Sequence, residues 1–122
     1  MRGALLACGL AVNAACLGSG EAAAQNNYGA IAYSPSTQAI GWSYDHGSRD
    51  AAEDAALVIC RKQANDCVTY WFYNACSALA IGSAGYGMAW GADRGIAENN
   101  AIRSCQRWTL DCEIKQWVCT SR

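Results

Sequence analysis

The sequence is poor in charge and in histidine, and both shortages narrow the range of functions. Charged residues make up 16% of the 122-residue chain, and nine basic residues nearly balance ten acidic ones. With so little net charge, no strong field indicates a nucleic-acid partner or an anionic membrane surface. The single histidine and the lack of any Cys-x-x-Cys pair argue against a zinc site, and no metal or other cofactor is predicted. The length suits one domain.

The first residues have the pattern of a secretory signal peptide. A basic residue precedes an apolar run over residues 3–17, and Ala22-Ala23-Ala24 offers the small residues that signal peptidase accepts. The run, about 15 residues long, is too short to indicate a membrane span. We expect cleavage near Ala24, with residues 1–24 removed and the protein secreted or periplasmic. The less favoured alternative is a lipoprotein processed before Cys16.

The mature chain, residues 25–122, repeats itself with a period of 45 residues. Residues 48–67 and 93–112 share seven identities over twenty positions, including two cysteines. Before each copy lie two short strand candidates joined by a turn, and after each copy lies a β-rich run. These features indicate an internal duplication, with repeats over about 28–75 and 76–119.

Each repeat has the local signals of the order strand, strand, helix, strand. Ser48 and Asp93 suit the N-cap of a helix, and alanines follow both of them at helical spacing. A repeat of about 45 residues buries too little surface to fold alone, so we expect the two to share one core. The sequence therefore predicts an α+β fold with six strands and two helices.

Six cysteines remain in the mature chain, an even number that is typical of a disulfide framework in a small exported domain. In each repeat, one cysteine ends the helix and another lies seven residues later, so a bond would staple the helix to the next strand. The remaining two would tie the repeats together. Among the fifteen pairings that six cysteines allow, the duplication favours Cys60–Cys67, Cys105–Cys112 and Cys76–Cys119.

Several motifs, in order along the chain, resemble a known family. They are Tyr28-Gly29-Ala30-Ile31-Ala32-Tyr33-Ser34, Gly41-Trp42-Ser43-Tyr44-Asp45, Ser48-Arg49-x-x-Ala52-Glu53, Asn74-Ala75-Cys76-x-Ala78-Leu79-Ala80, Gly85-Tyr86-Gly87-x-x-Trp90-Gly91 and Trp117-Val118-Cys119. Together they are similar to domain-of-unknown-function family 4189, found in exported bacterial proteins, over Tyr28 to Cys119. The resemblance implies export and a disulfide-bonded, duplicated α+β domain. It implies no reaction and no catalytic residue.

Residues that occur in both repeats are more simply explained as structural, because one active site rarely needs two copies. Arg49 and Glu53, with their counterparts in the second repeat, are expected to form ion pairs along the helices. Asp66 and Asp111 directly precede cysteines, and we expect them to bind local backbone in turns.

The first repeat has three more residues than the second between its second strand and its helix. We predict a loop there, and Tyr44, Asp45 and His46 on it are a candidate binding site. A phenol, a carboxylate and the only imidazole could in principle perform acid–base chemistry. Adjacent residues seldom point at one substrate, however, and no nucleophile is evident beside them, so no catalytic residue is predicted.

Four consecutive aromatic residues, Tyr70, Trp71, Phe72 and Tyr73, are the second candidate site. On a strand they alternate between two faces, so two of them leave whichever face is core. An exposed pair would suit an interface or a sugar-stacking platform. The alternative is that a helix or the other repeat covers this face too.

The favoured function is an exported, non-enzymatic interaction module with a protein partner, or else a glycan partner. A small size, a cross-linked frame and spare aromatic residues support this hypothesis. One alternative is a small secreted hydrolase that uses the Tyr44–His46 loop. The other is a carbohydrate-binding module that presents tryptophan and tyrosine side chains.

Overall fold

The computed structural model describes residues 26–121, so the predicted signal peptide over residues 1–24 lies outside the described residues. Within residues 26–121 the chain forms six strands and two helices, in the order strand, strand, helix, strand, twice over. This confirms the predicted α+β class and the repeat. The elements are β1 (Tyr28–Tyr33), β2 (Ile40–His46), α1 (Arg49–Cys60), β3 (Val68–Tyr73), β4 (Cys76–Gly82), β5 (Gly85–Gly91), α2 (Arg94–Cys105) and β6 (Glu113–Cys119).

Each repeat forms its own three-stranded antiparallel sheet, with its first strand in the middle. The order is β2-β1-β3 in the first repeat and β5-β4-β6 in the second. Ile31 at the centre of β1 faces Trp42 on β2 and Tyr70 on β3. Since side chains alternate along a strand, each central strand presents residues to both faces of its sheet.

One face of each sheet consists of small residues and lies under the helix of the same repeat. In the first repeat Ala30 and Ala32 of β1 pack against Ala52 and Ala56 of α1. The second repeat has the same arrangement between β4 and α2. Because these side chains are short, each helix lies close to its sheet.

The opposite faces of the two sheets pack against each other and form the shared core that the small size of each repeat predicts. Ile31, Phe72, Leu79 and Val118 are buried in one cluster drawn from both sheets. The rings of Tyr33 and Tyr86, one from each sheet, lie 4.8 Å apart between centroids. The layers are therefore helix, sheet, sheet, helix. No helix within residues 26–121 is long and apolar enough to cross a membrane.

The three predicted disulfides are present, but the expectation that one of them ties the repeats together is wrong. The bonds are Cys60–Cys67, Cys76–Cys119 and Cys105–Cys112. Cys76 is the first residue of β4, and it lies directly opposite Cys119 at the end of β6. This bond therefore closes the second sheet, and the link between the repeats is the apolar core.

The first repeat has two tyrosines where the second has this disulfide. Tyr28 at the start of β1 lies directly opposite Tyr73 at the end of β3, just as Cys76 lies opposite Cys119. The two tyrosine rings are 4.8 Å apart between centroids. The same position in the two repeats is thus held by an aromatic pair in the first and by a disulfide in the second.

The shared polar residues of the helices have the structural roles expected of them. The Ser48 hydroxyl accepts a hydrogen bond from the Ala51 N–H at 3.1 Å, and Asp93 Oδ1 accepts one from the Ile96 N–H at 2.9 Å. Both residues satisfy otherwise unpaired N–H groups at a helix start. Ion pairs join residues four apart on each helix, at Arg49–Glu53 and Arg94–Glu98.

Asp66 and Asp111 bind turns that lie far from them in the sequence, and Asp111 also accepts a hydrogen bond from the Thr109 hydroxyl, two residues before it. Asp66 accepts hydrogen bonds from the Ser34 hydroxyl and, at 3.1 Å, from the Ser36 N–H, in the hairpin turn between β1 and β2. Asp111 Oδ1 accepts from the Ser83 N–H at 3.0 Å in the equivalent turn of the second repeat. Hydrogen bonds from Thr109 and Ser83 lower the pKa of Asp111 from 3.8 to about 2. Each aspartate thus fastens a hairpin tip.

The low pKa of Asp111 predicts that its contribution to stability depends on pH. A depressed carboxyl pKa stabilises the fold above the unfolded value of 3.8, and this stabilisation is lost as the pH falls through about 2. We expect Asp111→Asn to lower the melting temperature at pH 6, and we expect the difference in melting temperature from the wild type to be much smaller at pH 2, where about half of the Asp111 carboxyl groups are protonated in the folded protein. Thermal unfolding, followed by circular dichroism at pH 6 and at pH 2, measures the two melting temperatures. Asp54→Asn, on the exposed side of α1, is the control, and an unchanged gap for Asp111→Asn would contradict the expectation.

Candidate functional site

The segment predicted as a loop, Tyr44 to His46, is the end of strand β2, so the loop prediction is wrong. A β-bulge takes up one of the three extra residues, because Tyr44 and Asp45 both lie opposite Gly29 of β1. The other two vanish in the structure, where Met88 and not Trp90 has the position equivalent to Trp42: Trp42 lies opposite Ile31, and Met88 lies opposite Leu79. Asp45 has φ 60°, a left-handed conformation that aspartate tolerates and that bulges use. The chain therefore continues pairing where a loop was expected.

Asp45 has a structural partner at the other end of the chain. Its Oδ1 accepts a hydrogen bond from the Ser121 N–H at 2.8 Å, which fastens the carboxy-terminal residues to β2. Tyr44 is exposed and His46 is half-buried. Within the described residues, no hydrogen bond joins these three side chains, so the structure does not bring them together as an acid–base set.

The four-residue aromatic run forms most of β3, and its members have different surroundings. Phe72 is buried between the two sheets, at 2% exposure. Tyr70 is half-buried, and burial raises its pKa above the ordinary value of 10.0. Trp71 and Tyr73 are 38% and 46% exposed and lie on the helix side of the sheet. Tyr70 and Phe72 therefore face the core between the sheets, whereas Trp71 and Tyr73 are partly exposed to solvent.

A groove of about 630 Å³ runs beside this strand, and we call it the β3 groove. Its lining comes from three elements that are far apart in the sequence. Helix α1 supplies Arg49 and Glu53, β5 supplies Trp90, and β3 supplies residues 69–73. The groove thus includes all of the predicted aromatic run and a tryptophan from the other repeat.

A chain of polar contacts holds the α1 side of the groove in place. Arg49 Nε lies 3.2 Å from Glu53 Oε1, and the Arg49 guanidinium lies 5.0 Å from the centroid of the Trp71 ring. Glu53 Oε2 accepts a hydrogen bond from the Thr69 hydroxyl at 2.7 Å. A guanidinium over an indole face is attractive because the ring face is electron-rich. These contacts orient Trp71 without the help of a ligand.

Trp90 is the member of the groove that sequence reasoning missed. It is 56% exposed, and its backbone C=O accepts a hydrogen bond from the Asn100 side chain at 3.0 Å. The Trp90 backbone lies close to the Tyr70 side chain and lowers its pKa, against the larger raising effect of burial. The only signal in the sequence was the match between Trp90 and Trp42 in the repeat, and nothing there placed Trp90 beside β3.

The equivalent surface of the second repeat has the same frame but a polar lining. Arg94 pairs with Glu98, and its guanidinium lies 4.1 Å from the centroid of the Trp117 ring. The remaining side chains along β6 include Lys115 and Gln116, where β3 has aromatic and hydroxyl residues. The Arg–Glu–Trp arrangement is therefore common to both repeats, whereas the aromatic groove belongs to the first alone.

A second groove of about 540 Å³ lies beside Tyr70 and includes Tyr86, Met88 and Trp108. Trp108 is 66% exposed in the segment after α2. Within residues 26–121, histidine, cysteine, aspartate and glutamate side chains form no cluster of three or more that could hold a metal ion. The β3 groove has more aromatic side chains and is the stronger candidate site.

Comparison with known proteins places the chain in a family. The family model described as a domain of unknown function (DUF4189) matches residues 28–119. A similar solved structure is the NMR structure of Rv1813c from Mycobacterium tuberculosis, at 32% identity and a TM-score of 0.60, over 77% of this chain and 75% of that one. No curated protein matches the sequence. The chain thus belongs to the DUF4189 family, as its motifs suggested.

Proposed function

We propose that this protein is an exported, non-enzymatic interaction module that binds a protein partner in the β3 groove. The observation that carries the proposal is the exposure of Trp71, Tyr73 and Trp90 in one groove, at 38%, 46% and 56%. Tryptophan and tyrosine supply large contact area with few rotatable bonds, and they dominate the energetics of known interfaces.

The rigid frame around the groove suits binding. Disulfides, ion pairs and the shared core fix both walls before a partner arrives, so a partner meets little ordering cost on this side of the interface. Three disulfides in so small a domain also support export, because such bonds persist in oxidising compartments. The resemblance of residues 1–24 to a signal peptide also supports export.

The hydrolase alternative has less support. Its residues would be Tyr44, Asp45 and His46, yet the Asp45 carboxylate is engaged by the Ser121 N–H. A general base has to lie within hydrogen-bonding reach of the group that it activates. No such arrangement joins these side chains in the part of the chain that the structure describes.

A glycan partner is the second candidate, because exposed tryptophan and tyrosine rings also stack on sugars. The surroundings of Trp71 favour a protein instead. Arg49 lies over the Trp71 ring, and the Tyr28 ring packs 6.2 Å away at a tilt of 37°. These neighbours leave the Trp71 ring less free face for a sugar, whereas side chains of a protein can contact its exposed edge.

The experiment compares two tryptophans that occupy equivalent positions in the repeats. We expect Trp71→Ala to weaken partner binding at least about 30-fold, the effect of losing an interface anchor. Trp117→Ala removes the same ring and the same arginine contact from the second repeat, and we expect it to leave binding unchanged. Binding is measured on arrays of extracellular proteins and of glycans.

Three outcomes decide the proposal. The proposal is supported if Trp71→Ala abolishes binding to a protein partner and Trp117→Ala does not. A Trp71-dependent signal on the glycan array alone would overturn the protein partner. Equal effects of the two variants, or loss of a measured hydrolytic activity with His46→Ala, would overturn the groove as the functional site.

A further inference from the structure

We propose that the partner occupies the β3 groove as an extended peptide segment, which adds a strand to the free edge of β3. The inference rests on the proposed binding function and specifies the conformation and chemistry of the partner. In this mode the backbone supplies hydrogen bonds, and alternate side chains of the peptide supply specificity.

The lining of the groove shows that it runs along the edge of β3. Five consecutive residues, 69–73, line it. Because successive side chains of a strand point to opposite faces, a groove that includes neighbours from both faces follows the edge between them. Arg49 and Glu53 border it on the α1 side, and Trp90 borders it on the β5 side. The backbone of β3 is therefore the floor of the groove.

That backbone has unused hydrogen-bonding capacity. β3 is the outer strand of the order β2-β1-β3. Alternate residues of an outer strand direct their N–H and C=O groups away from the sheet. Within residues 26–121, no hydrogen bond outside the β1–β3 ladder involves the β3 backbone. An extended chain is the ligand that satisfies such a row of groups.

β3 also lacks the features that normally keep an edge strand unpaired. Proteins protect edges with charged residues, proline or bulges. β6, the equivalent strand of the second repeat, has exposed Glu113 and Lys115 and an irregularity in its pairing. β2 contains the bulge at Asp45. β3 consists of Val68-Thr69-Tyr70-Trp71-Phe72-Tyr73, with no charge, no proline and regular pairing along its length.

Size and charge define the occupant. The exposed parts of Trp71, Tyr73 and Trp90 amount to roughly 300 Å², since an aromatic side chain has 150–250 Å² of surface. A stable dimer needs about 800 Å² per partner, so the groove suits a short segment better than a second copy of this chain. Five residues of extended peptide span about 17 Å. Because Arg49 and Glu53 neutralise each other and β3 is uncharged, we expect an uncharged segment with apolar side chains at alternate positions.

The test uses dodecapeptides selected from a random phage library on the oxidised protein. We expect the selected peptides to need Trp71 but not Trp117. On binding, alternate β3 amides should exchange their hydrogens at least about tenfold more slowly, while β6 amides keep their rates. N-methylation of the peptide should weaken binding about tenfold at every second residue, because each such position loses a backbone hydrogen bond.

The outcomes separate this inference from the proposed function. Trp71-dependent peptides that leave β3 amide exchange unchanged, or that tolerate N-methylation evenly, would overturn strand addition and leave the groove as a binding site. Failure to select any Trp71-dependent peptide would likewise overturn strand addition. Protein binding that is indifferent to Trp71→Ala would overturn the proposed function itself.

Discussion

Replacing Cys76 and Cys119 together by alanine should lower the free energy of unfolding by about 4 kcal/mol. A disulfide stabilises mainly by restricting the unfolded chain, and the restriction grows with the length of the loop that it closes. This bond closes a loop with a sequence separation of 43, whereas each helix-end bond spans a separation of 7. The same relation gives about 2.4 kcal/mol for each short loop.

Urea unfolding of the Cys76→Ala/Cys119→Ala variant measures this difference. The matched control is Cys60→Ala/Cys67→Ala, in which the same chemistry is removed from a short loop. A larger loss for the control would contradict the expectation, because it would mean that native packing around the helix end outweighs the length of the loop.

Gly87→Ala should destabilise the protein by about 3 kcal/mol, the upper end of the usual cost of overpacking. A β-carbon at Gly87 would lie 2.3 Å from the Cys105 backbone nitrogen and 2.7 Å from the Ala101 carbonyl oxygen. Both atoms belong to the backbone of α2, so the helix would have to move away from its sheet. The first repeat has the same close approach at Gly41, where a β-carbon would lie 2.2 Å from the Ala56 carbonyl oxygen.

Gly95→Ala is the matched control for this effect. Gly95 lies within α2, and an added β-carbon there would meet only Asp93 Oδ1 at 3.5 Å, an ordinary contact. Alanine is the better helix former, so we expect this variant to be more stable by about 0.5–1 kcal/mol. Chemical denaturation of both variants gives the comparison. Stabilisation by Gly87→Ala would show that the helix and sheet are not in close contact.

The duplication explains why much of the fold could be predicted from the sequence. Ser48 and Asp93 marked equivalent helix starts, and the cysteines at equivalent spacing indicated the two short disulfides. Both signals lie in short stretches of sequence, and their occurrence in both repeats made each prediction more secure. The shared core also followed from the small size of each repeat, which cannot bury a core alone, whereas the face-to-face packing of two separate sheets did not.

Features that depend on which residues lie opposite each other in the sheets could not be predicted from the sequence. The bulge at Asp45 turned an expected loop into strand, because one left-handed residue lets β2 take in one extra residue and continue pairing with β1. Cys76 closes its own sheet because it begins β4 and pairs across to the end of β6. Trp90 lines the groove only because β5 packs against β3, and these strands belong to different repeats and are far apart in the sequence.

The central claim is that the molecule meets its partner through the β3 groove, and hydroxyl-radical footprinting of its tryptophans tests it most directly. The protein is labelled in the concentrated medium of the cells that produce it and again after purification, and mass spectrometry gives the oxidation rate of each tryptophan. We predict that Trp71 and Trp90 react severalfold more slowly in the medium, while Trp42 and Trp117 keep their rates. Unchanged rates at Trp71 and Trp90, or slowing at Trp108 or Trp117 instead, would contradict the account.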